Sequence, residues 1–390
     1  MKPNKYIAIS TSSLFLLCLS VAQAETLPIT QLIVKQGKEV APSDGWAGQA
    51  GGTTGGSLAS WKNIYTVSSA QQLRDVVNAA ADQPKIIQIK GTIDISNGIP
   101  YKNFADQKKR SQLAVPANTT LIGIGKEAKF IHGSLLVNQV QNVILRNFTV
   151  EMPVDVAPHY EQGDGWNAEW DGITIEESQH VWVDHLTLTD GSFTDDQYKQ
   201  KDGETWTQHD GMLDIKRGSD FVTISWSDFN HHDKTMLIGH SDGNGAQDTG
   251  KLHVTIHDSV FELIEQRSPR VRFGQVHSFN NLFMGDAGSR VPAYRYQYSY
   301  GVGVKGSIIS ENNQFSINGL SDNCKIVKAF GKDGNSFSDK GSYAGNSAWL
   351  GGTKCAGLSV PKWKIPYTYR LIAVSQVLQR GTTQAGAGKM

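Results

Sequence analysis

Between His209 and Asp242 the chain reads HDGMLDIKRGSDFVTISWSDFNHHDKTMLIGHSD, and acids, bases and β-forming residues lie closer together here than anywhere else. Asp210 and Asp214 are four residues apart across an apolar step, the eight residues Val222 to Phe229 alternate as a strand does, and Lys234 follows. Two carboxylates and an amine are thus carried on neighbouring strand edges without local partners. Three such groups at one edge suit a bound ion or a charged ligand. The plainer use of the same residues is a solvated turn with surface charges. More charge lies on either side: Glu169-Trp170-Asp171 stands before VWVDH, and Arg267-Ser268-Pro269-Arg270-Val271-Arg272 follows VTIHDSVF.

These groups meet only if the chain brings distant segments into register, and a repeat supplies that register. An eight-residue pattern with apolar ends recurs as VILRNFTV from Val143, VWVDHLTL, VTISWSDF, VTIHDSVF, VHSFNNLF and IISENNQF, its starts separated by 38, 41, 32, 22 and 32 residues. A minimum near 22 with larger values elsewhere fits stacked coils carrying loops of different length on one side. Ser227, Ser259, Asn281 and Asn313 share the sixth position, where small polar side chains can bond to one another along a stack. A β-sandwich would place turns every 8 to 12 residues, so the spacing favours a parallel β-helix, and a right-handed, single-stranded one also explains why the insertions fall together. The predicted helix, Ser69 to Ala81, has Ser68 or Ser69 as N-cap and puts Leu73, Val76, Val77 and Ala80 on one face, which suits it to cap the open end of the core. Beyond it every segment reads as strand. The insertions Glu151 to Trp170, Gly191 to His209 and Asp286 to Lys305 hold much of the aromatic and charged inventory, and the binding face is expected on their side.

In stacked coils, equivalent positions lie about 4.8 Å apart, so the acids and cations would form one file. Hard oxygen donors without cysteine favour Ca²⁺ over zinc. The arginines suit a carboxylate-bearing ligand held by paired hydrogen bonds. His231, His232, Asp233 and His240 are the zinc alternative, with turn hydrogen bonds as the expected use. Asp184 and His185 resemble a dyad but sit in a repeated strand, where a structural role is expected. Trp166, Trp170 and Trp206 can stack on sugar rings or seal the side of a coil.

Composition sets the surroundings. Residues 1–24 carry Lys2 and Lys5, an apolar run and Ala22-Gln23-Ala24, the form of a cleaved secretory signal. The run is too short for a membrane span, so no membrane anchor is expected. Without the signal, 35 basic side chains face 37 acidic ones, which excludes a bulk basic field for nucleic acid. Cys324 and Cys355 then remain as an even pair in an exported chain, and a disulfide closing a loop of about 30 residues contributes ~3 to 4 kcal/mol in chain-entropy models. Gly-rich Pro42 to Ser57 is expected to cover another element, and residues 25–390 to form one domain.

The motifs VWVDH, DGMLDIKRGSDFVTISWSDFNHHDKTMLIGHSD from Asp210, and RSPRVRFGQVHSFNNLF from Arg267 resemble polysaccharide lyase family 1, the pectate lyases. The resemblance covers the middle of the chain and AGQAGGTTGG near its start. It implies that Asp171, Asp210 and Asp214, with Glu169 as a further acid, hold Ca²⁺. It also implies that Lys234 and Arg272 bind the substrate carboxylate, that Lys216 touches the polymer, and that Arg267 is the base. The implied partner is polygalacturonate or pectin, met by a secreted or periplasmic monomer. The surrounding cations are what make an arginine a workable base, and an alkaline optimum is expected; the plainer use of Arg267 is a salt bridge to Glu265. A pectin lyase acting on methyl-esterified substrate is the nearest rival, against which the retained acids argue. A β-helical hydrolase with paired carboxylates is a second rival, and a non-catalytic carbohydrate-binding protein is a third.

Overall fold

The computed structural model describes residue 1 and residues 29–79, 83–288, 293–331, 333–349, 355 and 357–390. Apart from Met1, the expected signal and its cut after Ala24 lie outside the described residues.

Three long sheets, two of ten strands and one of eight, run side by side, and consecutive strands cross from sheet to sheet. One coil uses Gln141–Arg146, Thr149–Glu151 and Ile173–Glu176; the next uses Gln179–Asp184, Thr187–Thr189 and Leu213–Lys216. Coils pair in parallel and in register, so Val143, Val181, Val222, Val254, Val276 and Ile308 form one file. The fold is a right-handed parallel β-helix whose apolar interior is one cluster from Val67 to Trp349.

The eight-residue pattern proves to be two strands with a bend between them. Its fifth residues, Asn147, His185, Trp226, Asp258, Asn280 and Asn312, all have φ between 49° and 58°. One left-handed residue turns the chain out of the first sheet into the second, and Asn or Asp, which tolerate that region, fill four of the six positions. The sixth residues form the expected ladder: the Ser227, Ser259 and Asn281 amides donate to Ser259 Oγ, Asn281 Oδ1 and Asn313 Oδ1 at 3.1, 2.9 and 2.7 Å. The eighth residues fill the core, where Phe229, Phe261, Phe283 and Phe315 stack with centroids 5.0, 4.9 and 4.6 Å apart. That spacing is the distance between hydrogen-bonded strands.

Helix Ala70–Ala79 lies against the first strands of two sheets, with Ala70 and Leu73 buried and Ser69 Oγ accepting the Gln72 amide at 3.2 Å. Residues 80–82, where the predicted helix ends, lie outside the described residues. The expectation of strand everywhere beyond is corrected by Phe104–Arg110 and Val374–Gln384, and a further helix, Ile29–Gly37, precedes it. Phe104–Arg110 is too short to show a period, and Val374–Gln384 contains a glycine that masks it. A Cβ on Gly381 would meet Val260 and Leu282 at 3.0 and 3.2 Å, so that glycine lets the helix approach the second sheet.

The Gly-rich segment covers the outer face of the first sheet. The Trp46 and Ala47 amides donate to Thr255 Oγ1 and Thr223 Oγ1 at 2.9 and 2.8 Å, and a Cβ on Gly56 would stand 2.1 Å from the Lys85 carbonyl oxygen. Cys324 and Cys355 form the expected disulfide. Among the described residues no helix is long and apolar enough to cross a membrane.

Candidate active site

The long loops leave from one edge, the passage from the second sheet to the third. Two residues suffice between Asp228–Lys234 and Leu237–Ile238, whereas long excursions separate Thr149–Glu151 from Ile173–Glu176 and Thr187–Thr189 from Leu213–Lys216. The third sheet is the floor beside them. Ile173, Ile175, Leu213, Ile215, Ile238 and Val271 point into the core at 0% exposure. Alternation therefore turns Thr174, Asp214 and Lys216 outward.

Asp171 and Asp214 are buried there beside Lys216. Asp171 Oδ2 accepts from Lys216 Nζ at 3.0 Å and Thr174 Oγ1 at 2.8 Å, while Asp214 Oδ1 accepts the Leu237 amide at 2.9 Å. A Cβ on Gly211 would lie 2.7 Å from Asp214 Oδ1 and 2.9 Å from Asp171 Oδ1, so the two carboxylates converge on a space that only glycine leaves open. Burial raises the Asp171 carboxyl, against the pull of Lys216, and burial with repulsion from Asp171 pushes Asp214 up to about 8. Burial opposes charge on Lys216, but the surrounding aspartates outweigh it and hold the ammonium above its ordinary value.

Asp210 stands at the rim, with Lys234 Nζ 3.3 Å from its carboxylate and 2.7 Å from Asn167 Oδ1. Glu169 is exposed beside it, its amide on Asp155 Oδ2 at 2.9 Å; partial burial raises its carboxyl, with Asp210 and Asp155 adding and His159 opposing. Buried carboxylates that repel one another, open toward a glycine and carry only oxygen donors fit a hard divalent cation such as Ca²⁺.

The arginines come from the next coil. Lys234 pairs in register with Gln266, so Arg267 follows directly alongside it, held at φ 62°. Arg267 Nε is buried without a hydrogen-bond partner, and among the described residues the guanidinium has no ion-pair acid. Glu265, the partner a structural salt bridge would use, instead accepts from Gln297 Nε2 at 2.9 Å, and burial with Asp233 pushes it up to about 7. Arg272 is 2.5 Å from Asp242 and 3.0 Å from the Gly239 carbonyl. Arg270, grouped in the sequence with the arginines suited to a carboxylate ligand, places its guanidinium 4.0 Å over the Phe330 ring, and burial, then Arg272 and Arg267, lower it to about 10.

Other expectations resolve into structure. Asp184 is taken up by Arg146 and Ser225 at 2.9 and 2.7 Å on the first sheet, away from the acids. Trp170 stacks on Phe104 at 5.2 Å, whereas Trp166 lies under Lys201 Nζ at 3.6 Å. The histidine group is recomposed: His232 joins buried Asp190 and His209, with ligand-type atoms within 4.8 Å of one another. Hydrogen bonds already occupy that cluster, His232 Nδ1 to Asp190 Oδ1 at 2.6 Å and Tyr294 Oη to Asp190 Oδ2 at 2.9 Å. Asn167 was missed, because nothing in the sequence pattern marks it.

A family model described as pectate lyase matches residues 12–390. The chain is 52% identical over 389 residues to pectate lyase A of Dickeya chrysanthemi, covering 97% of each chain. It is 52% identical over 378 residues to pectate lyase E of the same organism, covering 95% of this chain and 91% of that one. Its backbone matches a pectate lyase bound to a hexasaccharide with a TM-score of 0.84 and 32% identity, over 91% of this chain and 99% of the other.

Proposed function

The chain belongs to the pectate lyase family, and from that premise we propose that it cleaves α-1,4-polygalacturonate by Ca²⁺-dependent β-elimination. The observation that carries the reading is the meeting of Asp171 and Asp214 over Gly211 beside Asp210, one coil from an arginine with no acid of its own among the described residues.

Asp171, Asp210 and Asp214 would hold the cation, with Glu169 on the open rim. When bound, Ca²⁺ supplies positive charge against the C6 carboxylate of the sugar, whose own charge otherwise keeps the C5 proton too weakly acidic. Lys234 and Arg272 bind that carboxylate, and Lys216, paired with Asp171 at the floor, touches the polymer. Arg267, acting as the neutral guanidine, takes the C5 proton; the C5–H electron pair becomes the new C4–C5 double bond as the C4–O bond breaks, and the departing glycosidic oxygen takes its proton from water. A neutral methyl ester requires no such collection of charge, which favours pectate over pectin.

The test follows the ultraviolet absorbance of polygalacturonate incubated with the protein, with Ca²⁺ and with a chelator. A rise only with Ca²⁺ is expected. A rise in both conditions, faster on methylated pectin, would move the chain to the pectin lyases, and new reducing ends without absorbance would mean hydrolysis. The same reading makes the protein an exported monomer that loses residues 1–24, supported by a disulfide suited to an oxidising compartment. Amino-terminal sequencing and light scattering check both.

A further inference from the structure

We propose that His232 and Asp190 are positioning residues for the cation site, acting through the peptide that joins Asp210 to Gly211. The inference rests on the reading of Asp171 and Asp210 as ligands.

His232 is buried on strand Asp228–Lys234, and both of its ring nitrogens face acceptors. Nδ1 is 2.6 Å from Asp190 Oδ1 and Nε2 is 2.5 Å from the Asp210 carbonyl oxygen. A carboxylate and a carbonyl only accept, so the ring donates at both ends. The far side of the same peptide continues the chain of bonds, because the Gly211 amide donates to Asp171 Oδ1 at 3.2 Å. Asp190, His232, the Asp210–Gly211 peptide and Asp171 therefore form one line of hydrogen bonds. Donation into the carbonyl polarises the peptide and strengthens its N–H as a donor.

Asp190 is itself fixed. Tyr294 Oη donates to its Oδ2 at 2.9 Å and accepts the Asp195 amide at 3.2 Å, and His209 Nδ1 lies 3.4 Å from Oδ2. The need for such a device follows from Gly211. The converging carboxylates exclude a Cβ, yet glycine leaves the peptide before it freer to rotate than any other residue would. Rotation of that one peptide would turn the Gly211 N–H away from Asp171 Oδ1 and release that carboxylate. His232 sets the peptide's plane, and so holds Asp171 in place.

Two substitutions divide the residue's bonds. The asparagine amide of His232→Asn reaches Asp190 but not the Asp210 carbonyl; the longer amide of His232→Gln reaches the carbonyl. Ca²⁺ is titrated calorimetrically into each full-length protein without substrate, and turnover is measured at saturating Ca²⁺. Loss of an outer hydrogen bond of this kind weakens metal binding by about tenfold or more, so H232N is expected to lose that much and H232Q about threefold. Turnover at saturating Ca²⁺ should stay within about threefold of wild type in both, since the bond orients ligands rather than touching substrate. Equal affinities in the two variants, or wild-type affinity in H232N, would overturn the proposal. If H232N does not fold, Tyr294→Phe removes only the hydroxyl on Asp190; a weakening of about threefold supports the line of bonds and unchanged affinity breaks it. A wild-type chain that binds no Ca²⁺ would instead overturn the ligand assignment on which the proposal stands.

Discussion

Gly211 is where the chemistry of single residues is most constrained, because the point a Cβ would occupy lies within 2.9 Å of carboxylate oxygens from both Asp171 and Asp214. Gly211→Ala must push those oxygens apart, and Ca²⁺ affinity by calorimetry is expected to fall about tenfold or more, on the scale of disturbed ligand geometry. Its melting temperature in chelator should change little, since relieving the repulsion offsets the crowding; unchanged affinity would remove Asp171 and Asp214 from the site. Arg267→Lys keeps a cation beside Lys234 but moves the basic atom, and turnover should drop by about 10² to 10⁴, the usual worth of a positioned base. Affinity for an uncut oligogalacturonate should remain within a few-fold, and a near wild-type rate would end the assignment. The acids and arginines were legible because each precedes or follows a recurring strand, so stacking alone aligns them. The role of His232 was not, because its partner Asp190 lies 42 residues away and meets it only after two coils have stacked.

At the scale of elements, the polar ladder carries what the apolar file cannot, because the bends leave buried amides that no strand partner reaches. Asn281 is 0% exposed; it accepts the Ser259 amide at 2.9 Å and donates to the Ile256 carbonyl at 2.9 Å and to Ser278 Oγ at 3.0 Å. Asn281→Ala leaves those groups unpaired in the interior, which costs about 1 to 3 kcal/mol. Asn281→Ser, the residue used at 227 and 259, should recover part of the loss, and calorimetric melting of the two variants distinguishes this from simple loss of volume. The ladder could be read from the sequence since its residue types repeat in register. The bend one residue earlier could not, because His185 and Trp226 occupy the same left-handed position as the asparagines and neither residue type announces it. Helix Val374–Gln384 was hidden for the opposite reason: its glycine reads as a breaker until the second sheet beneath it is in place.

For the whole molecule, the site links folding to pH and to Ca²⁺. Near-neutral overall charge was legible from composition, but the local excess of buried acid was not, since Asp214 faces away from the core and Asp171 precedes its strand, and burial there is set by the packing around the outer face. Burial raises Asp171, and burial with Asp171 pushes Asp214 up to about 8, so the folded chain holds protons that the unfolded chain releases near pH 4. Between these values the folded state binds more protons, and without Ca²⁺ this contribution to stability is full in acid and lost as pH rises toward about 8. His232 has the same sign: burial alone would lower it, but Asp190 pushes it up to about 9, so its contribution is full below about 6.5 and lost as pH passes 9. The melting temperature in chelator therefore mixes the two groups, whereas the rise produced by Ca²⁺ below pH 8, where His232 keeps both ring protons, follows the acids. A cation binds the deprotonated acids and displaces their protons, so the stabilisation by Ca²⁺ should grow from pH 5 to pH 8, below the pH at which His232 gives up its second ring proton. Scanning calorimetry at pH 5, 7 and 9, with saturating Ca²⁺ and with chelator, measures that increment directly. In Asp214→Asn the increment should become small and nearly flat with pH, because the strongest repulsion and one ligand are removed together. An increment in the wild-type chain that does not change with pH would mean that the cation binds elsewhere than at Asp171 and Asp214.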